Sequence, residues 1–293
     1  MGETMGTPEL LLDYIGHLPE SPVWDEQAGS LYWTDILEQE IHCFQLSSHQ
    51  HRVIRFPEEV GCFALRQSGG FIVAMRSGIW LSNATGILLH KVCDNPNNPQ
   101  LARFNDGGTD RQGNFYAGTF WAPGDFNGAL LVRVDDALQS QVIQCDLQGA
   151  NGLAFSPSGE YMYNSDSPNR VIYQSRIDEQ GGPGVRRVFR NFTPEEGLPD
   201  GAAVDAEGCY WSAFHGGSRI ARFSPQGEQL LEVRLPVPMP TMVCFGGADM
   251  RTLFITTTRE NMSDEGQAEY PLSGAIFTLP VDVEGIAATR FAG

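Results

Sequence analysis

Asn151-Gly152-Leu153-Ala154-Phe155-Ser156-Pro157-Ser158-Gly159-Glu160-Tyr161-Met162-Tyr163-Asn164 is the stretch whose reading decides the fold. An amide–glycine pair opens it, and a short apolar run follows. Ser-Pro-Ser-Gly then makes a turn, and an aromatic-rich strand closes the phrase. The phrase returns on both sides. Upstream it reads Ser21-Pro22-Val23-Trp24 with Ser30–Thr34, then Gly61–Leu65 with Phe71–Ala74, then Asn105–Thr109 with Asn114–Thr119. Downstream it reads Asp200–Val204 with Cys209–Ala213, then Thr241–Phe245 with Thr252–Thr256. With Trp24, Cys62, Asn105, Asn151, Asp200 and Thr241 as phase markers, the steps are 38, 43, 46, 49 and 41 residues.

Short strands repeating at this period indicate a β-propeller, and six copies predict six blades. A further strand follows in most units, such as Gln39–Phe44, Val171–Arg176 and Arg219–Ser224, so about four strands per blade are expected. The predicted fold class is therefore all-β: a six-bladed propeller forming a single domain over residues 1–293. Glu9–Ile15 precedes the first repeat and has no blade of its own. Its pairing into the last blade, beside Gly274–Pro280, is expected to close the ring and cover an exposed edge. An α/β reading would need crossover helices of ten or more residues, and no helical period is sustained.

Composition narrows the function classes. A net charge of −17 and the absence of basic patches argue against a nucleic-acid or anionic-membrane partner. No apolar run is long enough to span a membrane. The stretch MGETMGTPELLLDYIGH lacks a basic n-region, so a secretory signal is not expected and the cytoplasm is the expected location. None of the six cysteines forms a C-x-x-C pair, and they read as small buried hydrophobes in a reducing compartment. A monomer or weak homo-oligomer is expected.

In a propeller the loops that enter the inner strands form one mouth of the central channel. The residue just before each inner strand, namely Glu20, Gly61, Asn105, Asn151, Asp200 or Thr241, is predicted to face that mouth. Asp-Gly and Asn-Gly pairs are common turn formers, but a shared phase in the repeat argues for more than a turn. Glu20, Asn151 and Asp200 are hard-cation ligands by type. Such an oxygen set suits Ca²⁺, Mg²⁺ or Mn²⁺, and a mixed carboxylate site also takes Zn²⁺ or Fe²⁺.

Other candidates fail. There is no G-x-S-x-G elbow and no H-E-x-x-H motif. His49-x-His51 sits in a polar turn. The segment from Asp106 to Asn114 lacks the terminal Glu of a Ca²⁺ loop. His215 is expected in a surface or loop position rather than at the mouth. Phe120 and Trp121 either wall a substrate pocket or pack within a blade.

The motifs also resemble a known family. Leu18–Asp25, Arg103–Gly107 with Tyr116–Thr119, Asn151–Ser156 with Asn164–Ser167, Leu198–Gly201, and Pro240-Thr241 with Cys244–Asp249 together resemble the gluconolactonase/regucalcin (senescence marker protein) family over nearly the whole chain. The resemblance implies that Glu20, Asn151 and Asp200 hold one divalent metal and that Arg103 and Asn105 bind substrate. The sequence departs from the family where some members place an acidic substrate contact. Here Phe120-Trp121-Ala122-Pro123-Gly124 carries no carboxylate until Asp125. The implied activity is metal-dependent hydrolysis of a sugar lactone, such as gluconolactone or a pentonolactone, with Asp200 taking a proton from the attacking water. The alternatives are a non-catalytic, calcium-binding regulatory propeller and a related lactonase or organophosphate hydrolase with a non-sugar substrate.

Overall fold

The computed structural model describes residues 6–178 and 182–293; the first five residues of the N-terminal stretch lie outside them. Six four-stranded antiparallel sheets are arranged as the repeat predicts. Their inner strands are Pro19–Asp25, Val60–Leu65, Ala102–Thr109, Ala150–Phe155, Leu198–Val204 and Pro240–Gly246, which begin blades one to six. Each blade runs outward in chain order. The exception is blade six, whose outermost strand is Glu9–Leu10.

Burial follows the same order and explains the composition of each strand. The second strand of blade one, Ser30–Asp35, is buried throughout, whereas its fourth, Gln50–Arg55, is exposed except at Ile54. Apolar residues therefore fill the inner strands and polar residues the outer ones. Cys145 breaks the expectation for cysteines because it lies exposed on such an outer strand, Ser140–Leu147. Among the described residues no helix is long and apolar enough to cross a membrane.

The mouth markers, Glu20, Gly61, Asn105, Asn151, Asp200 and Thr241, sit one step deeper than the sequence suggests. They lie inside the first residues of the inner strands rather than in the loops before them. The antiparallel register shifts at that place in all six blades, for example between Glu20 and Val23, between Asn151 and Ala154, and between Pro199 and Ala202. A bulge frees its residues from the ladder and re-aims their side chains, here toward the channel. Gly152 in the fourth bulge has φ 59°, and a Cβ there would lie 2.3 Å from the Tyr210 hydroxyl. Gly61 is the one marker without a side chain, and a Cβ there would lie 2.2 Å from the Phe104 carbonyl oxygen. Blade two thus needs glycine so that blade three can approach.

Closure is double. The N-terminal strand joins blade six as expected, but over two residues only: Glu9 pairs with Thr278 and Leu10 with Phe277. The C-terminal segment adds a second closure at the opposite end of the channel. Gly285 bonds to the Met250 carbonyl of blade six, and Phe291 bonds through its amide and carbonyl to Leu65 and Gln67 of blade two. Arg290 reaches Asp25 of blade one at 2.6 Å.

Candidate functional site

At the mouth where the inner strands begin, a cavity of about 350 Å³ is lined by Glu20, Asn105, Asn151, Asp200 and Thr241, together with Arg103. Five of the six marker positions thus share one cavity, and the sixth is Gly61. The structure brings together every site residue read from the sequence.

A chain of hydrogen bonds orders these residues across three blades. Arg103 Nη1 donates to Asn105 Oδ1 at 2.6 Å and to the Phe104 carbonyl at 3.1 Å. Asn105 Nδ2 donates to Asn151 Oδ1 at 2.7 Å and to the Ala150 carbonyl at 3.1 Å. Asn151 Nδ2 donates to Ser167 Oγ at 2.7 Å, and Ser167 Oγ donates to the Pro199 carbonyl at 2.6 Å. The chain ends one residue before Asp200. It fixes the amide orientation of both asparagines, because each nitrogen faces an acceptor and each oxygen a donor.

The two carboxylates of the site are held differently. Glu20 Oε2 accepts the Ser21 amide at 2.7 Å. No hydrogen-bond donor reaches the Asp200 carboxylate among the described residues, although Asp200 is only 8% exposed. Burial, and then the charge of Asp106, push the Glu20 carboxyl up to about 8, against the pull of the Ser21 amide and Arg103. Burial, and then the charges of Glu20 and Asp106, hold the Asp200 carboxyl well above the ordinary carboxylate range.

Two buried carboxylates with mutual repulsion and unfilled acceptor capacity, joined by an oriented amide oxygen, fit a divalent cation. Its charge relieves the repulsion and its coordination fills the lone pairs. Glu20, Asn151 and Asp200 are the residues that would hold it.

Four further residues belong to this centre and were not read as part of it. Asp106 accepts the amides of Gly107 at 2.7 Å and of Leu153 at 2.9 Å, which ties blade three to blade four beside Asn151. Burial pushes its carboxyl up to about 6, while the backbone donors pull it down. Ser167 orients Asn151, as described above. His215 ends the strand Tyr210–His215 and lines the cavity, so it is not the surface or loop residue expected; burial lowers its pKa and keeps it neutral. Glu260 lines the cavity from the segment that follows the strand Thr252–Thr257.

Phe120 and Trp121 divide the two roles left open for them. Neighbours on a strand face opposite ways. Phe120 lines the cavity, while Trp121 packs with Ala102, Ala129, Leu147 and Ala150. Asp125 does not reach the cavity lining, and its Oδ1 accepts the Trp121 indole N–H at 2.7 Å.

Comparison with known proteins places the chain in a family and among structures of the same fold. Residues 18–259 match the SMP-30/Gluconolactonase/LRE-like region. A 6-deoxy-6-sulfogluconolactonase of Pseudomonas putida is 49% identical over 277 residues, covering 94% of this chain and 95% of that protein. Human regucalcin is 33% identical over 288 residues, covering 94% of each chain. Among solved structures, a calcium-binding protein, regucalcin, from Agrobacterium tumefaciens superposes with a TM-score of 0.92 at 26% identity, over 98% of this chain and 97% of that one.

Proposed function

The chain belongs to the SMP-30/gluconolactonase/LRE-like family, and on that premise we propose that it is a metal-dependent lactonase that opens the ester ring of an aldonolactone. One observation carries the reading: oxygen side chains from blades one, four and five meet in one cavity, next to Asn105 and an arginine, Arg103, with donors to spare. Arg103 uses Nη1 within the protein, and among the described residues its Nε and Nη2 are left for a ligand. The relative from Pseudomonas putida supports a sugar lactone as the substrate class and makes 6-deoxy-6-sulfogluconolactone the first compound to test.

Glu20, Asn151 and Asp200 would hold one divalent cation. The all-oxygen donor set favours Ca²⁺, Mg²⁺ or Mn²⁺, and the regucalcin relatives support Ca²⁺ among them. When bound, such an ion polarises the lactone carbonyl and stabilises the charge that develops on its oxygen.

The chain's own residues do the rest. Arg103 and Asn105 orient the sugar, each fixed by the hydrogen-bond chain, so little ordering remains to be done at the moment of reaction. Phe120 supplies an apolar wall. Asp200 takes a proton from the attacking water as its oxygen bonds to the carbonyl carbon. The ring C–O bond then breaks, and the leaving ring oxygen takes up the proton, giving the free hydroxy acid. Asp106 keeps Asn151 in place by tying the two inner strands together.

Acid release tests the proposal. The protein is stripped with chelator, reloaded with Ca²⁺, Mn²⁺, Mg²⁺, Zn²⁺ or Fe²⁺, and assayed on five- and six-membered aldonolactones and on 6-deoxy-6-sulfogluconolactone. A metal-dependent rate above spontaneous hydrolysis is expected. No such rate on any of these lactones with any of these metals overturns the reading.

A further inference from the structure

Glu260 is a charged group in the cavity that the lactonase mechanism leaves unused. Its backbone is anchored. Buried Thr258 donates Oγ1 to the His17 carbonyl at 2.8 Å and accepts the Glu260 amide at 2.9 Å. The Arg259 amide bonds to the same carbonyl at 3.2 Å. Asn261 then takes a left-handed conformation, φ 58°, and turns the chain away. The half-buried Glu260 carboxylate is thus carried over the cavity on a fixed stem. No hydrogen bond or ion pair reaches that carboxylate among the described residues.

The other carboxylates near Arg103 are already assigned, and Asp200, which Arg103 also acts on, belongs to the cation-binding set. Glu260 acts on Arg103 most strongly, followed by Glu59 and Glu20. Glu59 is taken by Arg76, with Nε to Oε2 at 2.7 Å. Glu20 holds the Ser21 amide and belongs to the cation-binding set. Glu260 lies beyond ion-pair distance of Arg103, so a gap separates donor and acceptor. Phe120 adds only apolar surface to the lining, and Asp125 is bound to Trp121. A half-buried carboxylate without a donor loses solvation for nothing in return, unless a ligand supplies the donors. The hydroxyl groups of an aldonolactone are such donors, and carboxylates accept two of them readily.

We propose that Glu260 is the specificity-determining acceptor of the site. It takes hydrogen bonds from substrate hydroxyls across the cavity from Arg103 and so selects polyhydroxylated lactones over bare ones. This rests on the lactonase reading. The test compares wild type, Glu260→Gln and Glu260→Ala on gluconolactone and on an unsubstituted lactone of the same ring size, with kcat and KM separated. For gluconolactone, Glu260→Ala is expected to raise KM roughly 10- to 100-fold with kcat little changed, because the interaction is made in ground and transition states alike. Glu260→Gln keeps one acceptor and falls between. The kcat/KM for the unsubstituted lactone is expected to stay as in wild type in both variants.

An active wild type whose variants are unchanged, or impaired equally on both lactones, overturns the assignment of Glu260 alone. A general electrostatic effect on the centre would give the second pattern. Where gluconolactone is not turned over, the aldonolactone of the panel that is turned over takes its place in the comparison; a wild type inert toward every lactone of the panel overturns the lactonase reading and this inference with it. Should Glu260→Ala fold poorly, the same comparison with Glu260→Gln decides.

Discussion

Replacing Glu20 by Gln has opposite consequences for the stripped and the loaded protein. In the metal-free protein the Glu20 carboxyl stands at about 8, against an ordinary 4.5. The folded state therefore holds this proton more tightly than the unfolded state. The stability contribution is full below pH 4.5 and is lost as pH rises toward 8. At about 1.4 kcal/mol for each pH unit, keeping Glu20 ionised in the fold costs on the order of 4 kcal/mol at pH 8. Glu20→Gln removes that cost, so above pH 7 the stripped variant should be more stable than stripped wild type, by up to roughly 4 kcal/mol. A divalent cation needs the ionised form. Its stabilisation of wild type should therefore grow with pH, by at most about tenfold in affinity per pH unit for each proton displaced, and should largely vanish in the variant. Thermal unfolding in chelator and in excess Ca²⁺ or Mn²⁺, from pH 5 to 9, reads both effects. A stripped variant less stable than wild type at pH 8, together with a metal increment that does not depend on pH, would refute the reasoning.

Three further outcomes are expected. Asp200→Asn abolishes lactone hydrolysis while circular dichroism and thermal unfolding in chelator remain those of a folded propeller; wild-type turnover in this variant removes Asp200 from the mechanism. Ser167→Ala leaves the Asn151 amide nitrogen without its acceptor and weakens metal affinity roughly 10- to 100-fold by calorimetry, with the same stoichiometry. Phe291→Ala opens a hole where a fully buried ring packs on Phe115 between blades two and three, and destabilises the protein by about 3–5 kcal/mol in denaturant titration without altering metal affinity.

The ring was legible because every blade repeats one strand–turn–strand phrase, and the convergence of Glu20, Asn151 and Asp200 in one cavity because they recur in phase. What the phrase did not show was the bulge. A register shift of one or two residues leaves no mark on an apolar run, so the marker residues read as loop residues when they begin the strands. The double closure was half legible: Glu9 and Leu10 pair as expected, but Arg290 and Phe291 act through contacts with blades one, two and three that only the folded ring brings near. Phe120 and Trp121 were ambiguous because neighbours on a strand face opposite ways and the sequence does not show which of them pairs with Arg103; in the fold Phe120 does. Ser167, His215 and Glu260 belong to strand ends and connecting segments outside the marker phase, where the repeat predicts nothing. Asp106 is adjacent to a marker, and a carboxylate next to Asn105 in the same bulge was the signal that it shared the centre.

The central claim is that residues from three separated blades make one cation site at the mouth of the channel. Anomalous diffraction from crystals of the protein grown with Mn²⁺ tests it most directly. The account predicts a single strong peak within coordination distance of Glu20, Asn151 and Asp200, lost in Asp200→Asn crystals. A peak elsewhere in the molecule, or none in this cavity at saturating metal, would contradict it.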